Sequence, residues 1–333
     1  MNKRIIKIGI TAGDPAGIGP EVTLKALNGM SGLDITPLVI ARVEALQKHY
    51  PIYLNEYEII REQKSKTINI SAGKKYIYDI PSEDPIPLPG KGGADTGRES
   101  RKYIDTAIEL WKVGIIDAVV TGPVSKAYIE KSGCRFSGHT EYIADLVNEK
   151  NPYMMMYSRD YRVLLVTIHI PVSDIPKAIN TDKIYNTIKI GYNSIKSLDG
   201  ENVKIAIAGL DPHCGDEGAI GQFDTEITAK IVEKARKDGI NIEGPFAADT
   251  LFTPQKWKMY NLAIAFYHDQ GLIPFKALAF ESGVNVTLGL SIIRTSPDHG
   301  TAFDIAGQNK ANYKSMTEAI KLAAGLARKK ISN

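Results

Sequence analysis

V-K-I-A-I-A-G-L-D-P-H-C-G-D, residues 203–216, passes within a few positions from an apolar, β-branched run to a polar turn built on glycine and proline. Such a transition predicts a buried strand that delivers a loop from its C-terminal end. The pattern recurs along the chain. Strands are expected over I-I-K-I-G-I (5–10), L-V-I-A (38–41), I-I-D-A-V-V-T (115–121), V-L-L-V-T-I (163–168), V-K-I-A-I-A (203–208), L-A-I-A-F-Y (262–267) and V-N-V-T-L (284–288). Helices are expected between them. Glu99 to Val113 carries Tyr103, Ile104, Ala107, Ile108 and Trp111 at helical spacing, and Thr225 to Lys237 carries Ile227, Ile231, Val232 and Ala235. The segment L-P-G-K-G-G-A-D-T-G-R (88–98) reads as a long loop. Strands alternating with helices predict an α/β fold, a sheet covered on both faces.

Bulk properties narrow the class. A chain of 333 residues exceeds one ordinary core and predicts two domains or one large α/β unit. Its 43% hydrophobic and 24% charged residues are those of a globular protein. A formal net charge of +3 implies no polybasic arm, so neither nucleic acid nor membrane is an expected partner, and an anionic ligand must be met by local cations. Cys134 and Cys214 are far apart and form no C-x-x-C pattern, which points to ordinary thiols in a reducing compartment. The start M-N-K-R-I-I-K-I-G-I is interrupted by Lys7 and fits a secretion signal poorly, and no run approaches the roughly 18 apolar residues of a membrane helix. The expected location is the cytoplasm.

In α/β folds the C-terminal ends of strands carry the functional loops. Four polar clusters obey that rule: T-G-P-V-S-K after 115–121, H-I-P-V-S-D after 163–168, G-L-D-P-H-C-G-D after 203–208 and H-D-Q-G after 262–267. Three of them supply a histidine: His169, His213 and His268. Three imidazoles from one sheet edge would suit a catalytic borderline metal, leaving a coordination position for substrate. Each alone also reads as a loop or cap residue, and no local signature such as H-E-x-x-H is present. His49, before Pro51, reads as a solvated imidazole at a helix end. In S-G-H-T-E-Y-I-A-D-L, Gly138 precedes a helix whose first turn would offer N–H groups to an anion, with His139 and Thr140 as further donors. Thr140 as a plain helix cap is the alternative. Lys276, Asn285 and Arg294 stand in apolar surroundings. They would meet a phosphate or carboxylate, or else pair with Glu281 or Asp298.

These residues carry a resemblance. T-A-G-D-P-A-G-I-G-P-E-V, T-G-P-V-S-K, G-H-T-E, the strand ending in His169, P-H-C-G preceded by Asp211, G-P-F-A-A-D-T-L-F, Y-H-D-Q-G and I-R-T-S-x-D-H-G-T-A-F-D-I-A-G run in order from about residue 8 to about residue 312. Together they resemble the 4-hydroxythreonine-4-phosphate dehydrogenase family. The resemblance implies two α/β/α domains, like those of isocitrate and isopropylmalate dehydrogenases. Residues 1–130 with 300–333 would hold the cofactor loop, and residues 131–299 the metal, the substrate residues and the dimer interface. It implies a homodimer with its active site at the subunit interface, NAD or NADP as oxidant, and a divalent metal, zinc or alternatively magnesium, manganese or cobalt. Family metal ligands fall on His169, His213 and His268, and substrate contacts on His139, Thr140, Lys276, Asn285 and Arg294. Asp269 would anchor His268 or accept a proton.

The implied reaction is oxidation of 4-phosphooxy-L-threonine at C3, with decarboxylation to 3-amino-2-oxopropyl phosphate on the way to pyridoxal phosphate. G-D-P-A-G-I-G-P-E-V has Val22 where G-x-G-x-x-G needs its last glycine, so the Rossmann fingerprint is absent. H-G-T-A-F-D-I-A-G (299–307) is instead similar to the adenosine loop of isopropylmalate dehydrogenases. Asp304 would there face the ribose and favour NAD over NADP, with a helix-capping role as the alternative. Where the family usually has N-P-H-A-G this chain has D-P-H-C-G, which puts the Asp211 carboxylate and the Cys214 thiol beside an expected ligand. Relatives acting on 4-phosphorylated erythronate or threonate, or on cyclic dihydrodiols, share the triad. Phosphate acyltransferases share the fold without it. A metal-dependent phosphatase and a non-catalytic binding protein complete the alternatives.

Overall fold

The computed structural model describes residues 4–30, 34–61, 68 and 70–332. Residues 1–3 of the basic start, at the head of the expected first domain, lie outside them. The strands are β1 (Ile6–Thr11), β2 (Ile35–Ala41), β3 (Tyr57–Arg61), β4 (Lys75–Asp79), β5 (Ala118–Thr121), β6 (Tyr153–Tyr157), β7 (Arg162–Leu165), β8 (Ile205–Ala208), β9 (Ile242–Phe246), β10 (Leu262–Ala265), β11 (Val284–Leu288) and β12 (Arg294–Pro297). Two compact units result, Met1–Pro152 with Leu290–Asn333, and Tyr153–Gly289.

In the first unit the strand order is β3-β4-β2-β1-β5-β12, and every neighbouring pair is parallel. Near-continuous apolar strands such as I-T-P-L-V-I-A, buried at all positions, suit a sheet covered on both faces. In the second unit the order is β11-β6-β7-β10-β8-β9. There β6 is antiparallel to both neighbours, and β7, β10, β8 and β9 are parallel. β10 therefore lies between β7 and β8. The register pairs Ala265 with Leu165 and Ile264 with Ile207, which brings three C-terminal ends side by side.

Alternation along those strands fixes what covers each face. Val163, Leu165, Ala206, Ala208, Ala263 and Ala265 enter one core cluster with Leu272 and Phe275 of the helix His268–Ala279. The alanines and Gly271 let that helix lie close. A Cβ at Gly271 would come within 2.9 Å of Leu165 and Val163. On the other face Gly191 of the helix Thr181–Asp199 is equally tight, 2.7 Å from Leu164 and 2.8 Å from Leu262.

Several expectations need correction. The stretch 88–98 is loop only to Gly93, because a helix spans Ala94–Lys112. The Thr96 hydroxyl accepts the Gly93 N–H at 3.1 Å, a cap that the run of glycines conceals. The expected helix from Thr225 opens as a wide π turn over Asp224–Thr228 before Ala229–Lys237. β3, β4, β6, β9 and β12 go beyond the strands expected, since Y-M-M-M-Y, I-E-G-P-F and R-T-S-P lack the β-branched signature. The units divide after Pro152 and Gly289, where the sequence places boundaries after 130 and 299. The helix His139–Leu146 belongs with the first unit because the Tyr142 hydroxyl donates to Asp105 at 2.6 Å, and β12 belongs there because it pairs with β5. Among the described residues no helix is long and apolar enough to cross a membrane.

Candidate active site

The candidate residues fall into groups that each unit builds by itself. In the second unit His169 follows β7, His213 follows β8, and His268 opens the helix after β10. The rings of His169 and His268 lie with centroids 5.5 Å apart and planes tilted by 43°. Two imidazoles on one ion at metal–nitrogen distances of about 2.0–2.1 Å have centroids roughly 5 Å apart, so this pair fits a shared divalent ion. His268 Nδ1 donates to Asp269 Oδ1 at 2.7 Å, which fixes the ring and leaves Nε2 as the available ligand atom. His213 does not complete a three-ligand group, and no set of three His, Cys, Asp or Glu side chains placed to hold a metal occurs among the described residues.

The His213 loop is unusual. Residues 213–217 all have positive φ, from 45° to 85°, a left-handed turn that costs on the order of 1–2 kcal/mol per residue bearing a Cβ. Buried Asp224 opposes that cost by accepting the N–H groups of Leu210 at 3.0 Å and Asp211 at 2.8 Å. Asp211 Oδ2 accepts the Phe223 N–H at 3.3 Å. The Cys214 thiol is pushed up to about 11 by burial, with the carboxylates of Asp224 and Asp249 adding to it. Lys276 is half-buried on the helix that His268 opens, and Asn285 is half-buried on β11.

In the first unit Arg294 is 3% exposed at the start of β12, and its Nε and one terminal nitrogen donate to the Thr121 hydroxyl at 3.1 and 2.7 Å. Burial lowers the guanidinium to about 10, so it stays cationic at neutral pH. His139 Nε2 is buried with no hydrogen-bond partner among the described residues. Burial, then the Arg294 charge, holds this imidazole well below the ordinary histidine range. A neutral ring with an orphaned nitrogen beside a buried cation fits an anionic ligand with acceptor oxygens. Thr140 sits inside the first turn, Gly138 takes the cap position, and no side chain caps that end, so Thr140 is not the cap.

The 299–307 loop packs on the Gly-rich turn after β1. Thr301 C=O accepts the Ile18 N–H at 2.8 Å, and a Cβ at Gly17 would come within 2.8 Å of that oxygen. Asp304 is exposed in a run of turns, and the next helix begins only at Lys314, so it caps no helix. Its carbonyl accepts from Gln308 at 2.7 Å. His299 Nε2 in the same loop is buried without a partner among the described residues. His49 differs from expectation, since it is half-buried with Nε2 2.8 Å from the Pro87 carbonyl. Sequence reasoning also misses the roles of Asp14, Thr121, Asp224 and Gln270, whose partners lie elsewhere along the chain, and of His299 with its buried Nε2. Asp14 in G-D-P, Thr121 in T-G-P-V-S-K, Gln270 in Y-H-D-Q-G and His299 in D-H-G-T lie inside recognisable motifs, whereas Asp224 leaves no such trace.

A model of the family described as pyridoxal phosphate biosynthetic protein PdxA matches residues 34–323. A 4-hydroxythreonine-4-phosphate dehydrogenase from Sulfurihydrogenibium sp. is 38% identical, over 97% of this chain and 99% of its own. A protein of Bradyrhizobium diazoefficiens, provisionally named D-threonate 4-phosphate dehydrogenase, is also 38% identical, over 96% of each chain. The crystal structure of 4-hydroxythreonine-4-phosphate dehydrogenase from Klebsiella pneumoniae superposes with a TM-score of 0.84 at 33% identity, covering 98% of this chain and 100% of that one. The fold is thus the isocitrate dehydrogenase-like α/β fold of those enzymes. This chain belongs to the PdxA family and is an oxidoreductase of the dehydrogenase kind.

Proposed function

We propose that the chain oxidises 4-phosphooxy-L-threonine at C3 with a nicotinamide cofactor and a divalent ion, and that decarboxylation yields 3-amino-2-oxopropyl phosphate for pyridoxal phosphate synthesis. The observation that carries this reading is buried Arg294 beside the orphaned Nε2 of His139, a place made for an anionic substrate group. His139 Nε2–H and the Arg294 guanidinium donate to phosphate or carboxylate oxygens, and Thr140, Lys276 and Asn285 supply further polar contacts. Charge-assisted bonds of this kind orient the substrate so that its C3 hydroxyl, not another, is presented for reaction.

A divalent ion held by His169, His213 and His268, with zinc favoured over magnesium, manganese or cobalt, would supply Lewis acidity to the reacting alcohol. Asp269 keeps the Nδ1 proton of His268 in place and is the candidate acceptor for the hydroxyl proton. A nicotinamide cofactor would supply the acceptor for the hydride that leaves C3, and Asp304 would be the residue that meets its adenosine ribose. The product is a β-keto acid, which loses carbon dioxide readily because its ketone accepts the electron pair left behind. A homodimer with the active site at the subunit interface completes the proposal. Exposed Val172, Ile273 and Phe280 of the second unit are apolar side chains that a second copy would cover.

Dehydrogenation of 4-phospho-D-threonate or 4-phospho-D-erythronate is the second reading. The Bradyrhizobium relative, as similar as the first, favours it. A panel of 4-phosphorylated hydroxy acids, assayed at 340 nm with NAD and NADP, with and without divalent metal, decides between them. Turnover of the threonine derivative alone supports the first reading, and turnover of the threonate or erythronate alone supports the second. Release of inorganic phosphate without absorbance change would replace both with a phosphatase.

A further inference from the structure

The helix Gly19–Asn28 of the first unit turns one face to the loop that follows β12 and grips it at both ends. Ile18, Glu21 and Lys25 are spaced three and four residues apart, so they share that face. At the near end the Ile18 N–H donates to the Thr301 carbonyl at 2.8 Å. At the far end Glu21 Oε1 accepts the Ala311 N–H at 2.9 Å, and Lys25 Nζ donates to the carbonyls of Asn309 and Ala311 at 2.9 and 3.4 Å. Lys25 also donates to Glu21 at 2.7 Å, and the Glu21 side chain is 1% exposed. The three donors of the ammonium are thereby engaged. Asn309, in a left-handed conformation at φ 58°, is held further by the Tyr53 hydroxyl, which donates to its Oδ1 at 2.9 Å. Between the two grips the chain runs in turns that carry exposed Asp304. Just before the near grip stands His299, whose buried Nε2 has no partner among the described residues. An exposed carboxylate and a buried, unused ring nitrogen in one loop suit the ribose hydroxyls and the base of a nucleotide.

We propose that Glu21 and Lys25 are positioning residues, whose paired charges fix the far stem of this loop and so set where the Asp304 carboxylate meets the cofactor. The proposal rests on reading Asp304 as the residue that faces the adenosine ribose. Plain helix stability is the alternative, since an acidic residue in the first turn with a lysine four positions on supports any helix. That role needs neither of the loop carbonyls nor the Ala311 N–H. The two roles separate in selectivity. A loosened stem lets the carboxylate leave the 2′ position and blunts discrimination between nucleotides, whereas a weakened helix lowers every nucleotide affinity alike.

Glu21→Gln combined with Lys25→Met is the discriminating variant, because it removes both charges at once, leaves an acceptor for the Ala311 N–H and strands no buried carboxylate. It is compared with Asp304→Asn and with all three changes together. The probes are ADP-ribose and 2′-phospho-ADP-ribose, the adenosine halves of NAD and NADP, titrated calorimetrically into the whole chain, and the thermal midpoint of each protein is recorded. In the double variant the preference for ADP-ribose over its 2′-phosphate should narrow about three- to tenfold. It should narrow in Asp304→Asn as well, and no further when the three changes are combined, because all act through one carboxylate. An unchanged ratio in the double variant, whether or not both affinities fall, or a further narrowing in the combined variant, would overturn the positioning role and leave Asp304 in place. A ratio unmoved by Asp304→Asn, or no binding of either probe to the unaltered chain, would overturn the cofactor reading of Asp304 and this proposal with it. If the double variant does not fold, Lys25→Arg takes its place, since it keeps the Glu21 charge paired while a planar fork cannot set its donors as an ammonium does. A narrowed ratio there supports the positioning role, and an unchanged one overturns it.

Discussion

Asp211 and Asp224 hold each other's backbone: the Asp224 carboxylate accepts the Asp211 N–H at 2.8 Å, while Asp211 Oδ2 accepts the N–H of Phe223, the residue before Asp224, at 3.3 Å. Asp224 also takes the Leu210 N–H and the Thr228 hydroxyl, at 3.0 and 2.8 Å. The carboxylate that departs from the family's N-P-H-A-G is therefore engaged in stapling the left-handed turn, with Gly221 packed against it so closely that a Cβ would sit 2.2 Å from Oδ2. Asp224→Asn turns an N–H2 group toward one of these donors and should cost about 1–3 kcal/mol in a urea titration. A midpoint equal to that of the unaltered chain would show that the turn does not depend on the staple.

Metal removal gives the second prediction. His169→Ala and His268→Ala should each abolish turnover and reduce bound zinc or cobalt from one ion per chain to none, with far-UV circular dichroism unchanged. Chelation of the unaltered enzyme should do the same, reversibly, with zinc, cobalt or manganese restoring activity and calcium failing because imidazole is a borderline ligand. Full activity in dialysed His268→Ala would remove the ion from the site.

Substrate anchoring is tested at Arg294 and Lys276. Arg294→Gln and Lys276→Ala would each remove a proposed charge-assisted bond to the substrate, an expected loss of roughly 2–4 kcal/mol in kcat/KM where water is excluded. Bound metal should be retained in both. Arg294 also binds Thr121, so Thr121→Val serves as the control for that contact alone. Unchanged efficiency in both cation variants would make them structural.

Asp14 gives a pH prediction. Buried in the turn after β1, it accepts the Ala16 N–H at 3.0 Å and the Thr96 hydroxyl at 3.3 Å, and burial lifts it from 3.8 to about 6. The folded state therefore holds this proton more tightly than the unfolded chain. Its contribution to stability is full below pH 3.8 and is lost as pH rises through about 6. A displacement of that size is worth about 3 kcal/mol. Asp14→Asn should accordingly gain stability relative to the unaltered protein between pH 4 and 6.5, with a constant difference above. Urea titrations at a series of pH values measure it, and a flat difference across that window would refute the burial effect.

What the sequence makes legible follows from what periodicity can carry. V-K-I-A-I-A and L-A-I-A-F-Y declare strands because nearly every position is apolar and bounded by turn residues, and their C-terminal histidines follow from chain direction alone. The neighbourhood of His169 and His268 is readable for that reason. That β10 lies between β7 and β8 is not, because order in a sheet is set by contacts distant along the chain. For the same reason Gln270, Thr121 and Asp224 look like ordinary polar residues until their partners, dozens of residues away or across a turn, are in place.

The proposed cofactor choice rests on Asp304. It is exposed in the turns after β12, caps no helix, and lies in a loop whose Thr301 carbonyl is fixed by Ile18 of the Gly-rich turn. A carboxylate so placed can accept hydrogen bonds from the 2′- and 3′-hydroxyls of an adenosine ribose, whereas the 2′-phosphate of NADP meets like charge. Repulsion of this kind is worth on the order of 1–3 kcal/mol, which predicts a preference for NAD of about ten- to a hundredfold in kcat/KM. Asp304→Asn keeps an acceptor for the ribose and removes the charge. It should narrow the gap chiefly by lowering KM for NADP, while metal content and kcat with NAD stay near their original values. Steady-state kinetics with both cofactors in the two proteins provide the measurement. Equal use of NAD and NADP by the unaltered enzyme, or an unchanged ratio in Asp304→Asn, would take this residue out of the cofactor site.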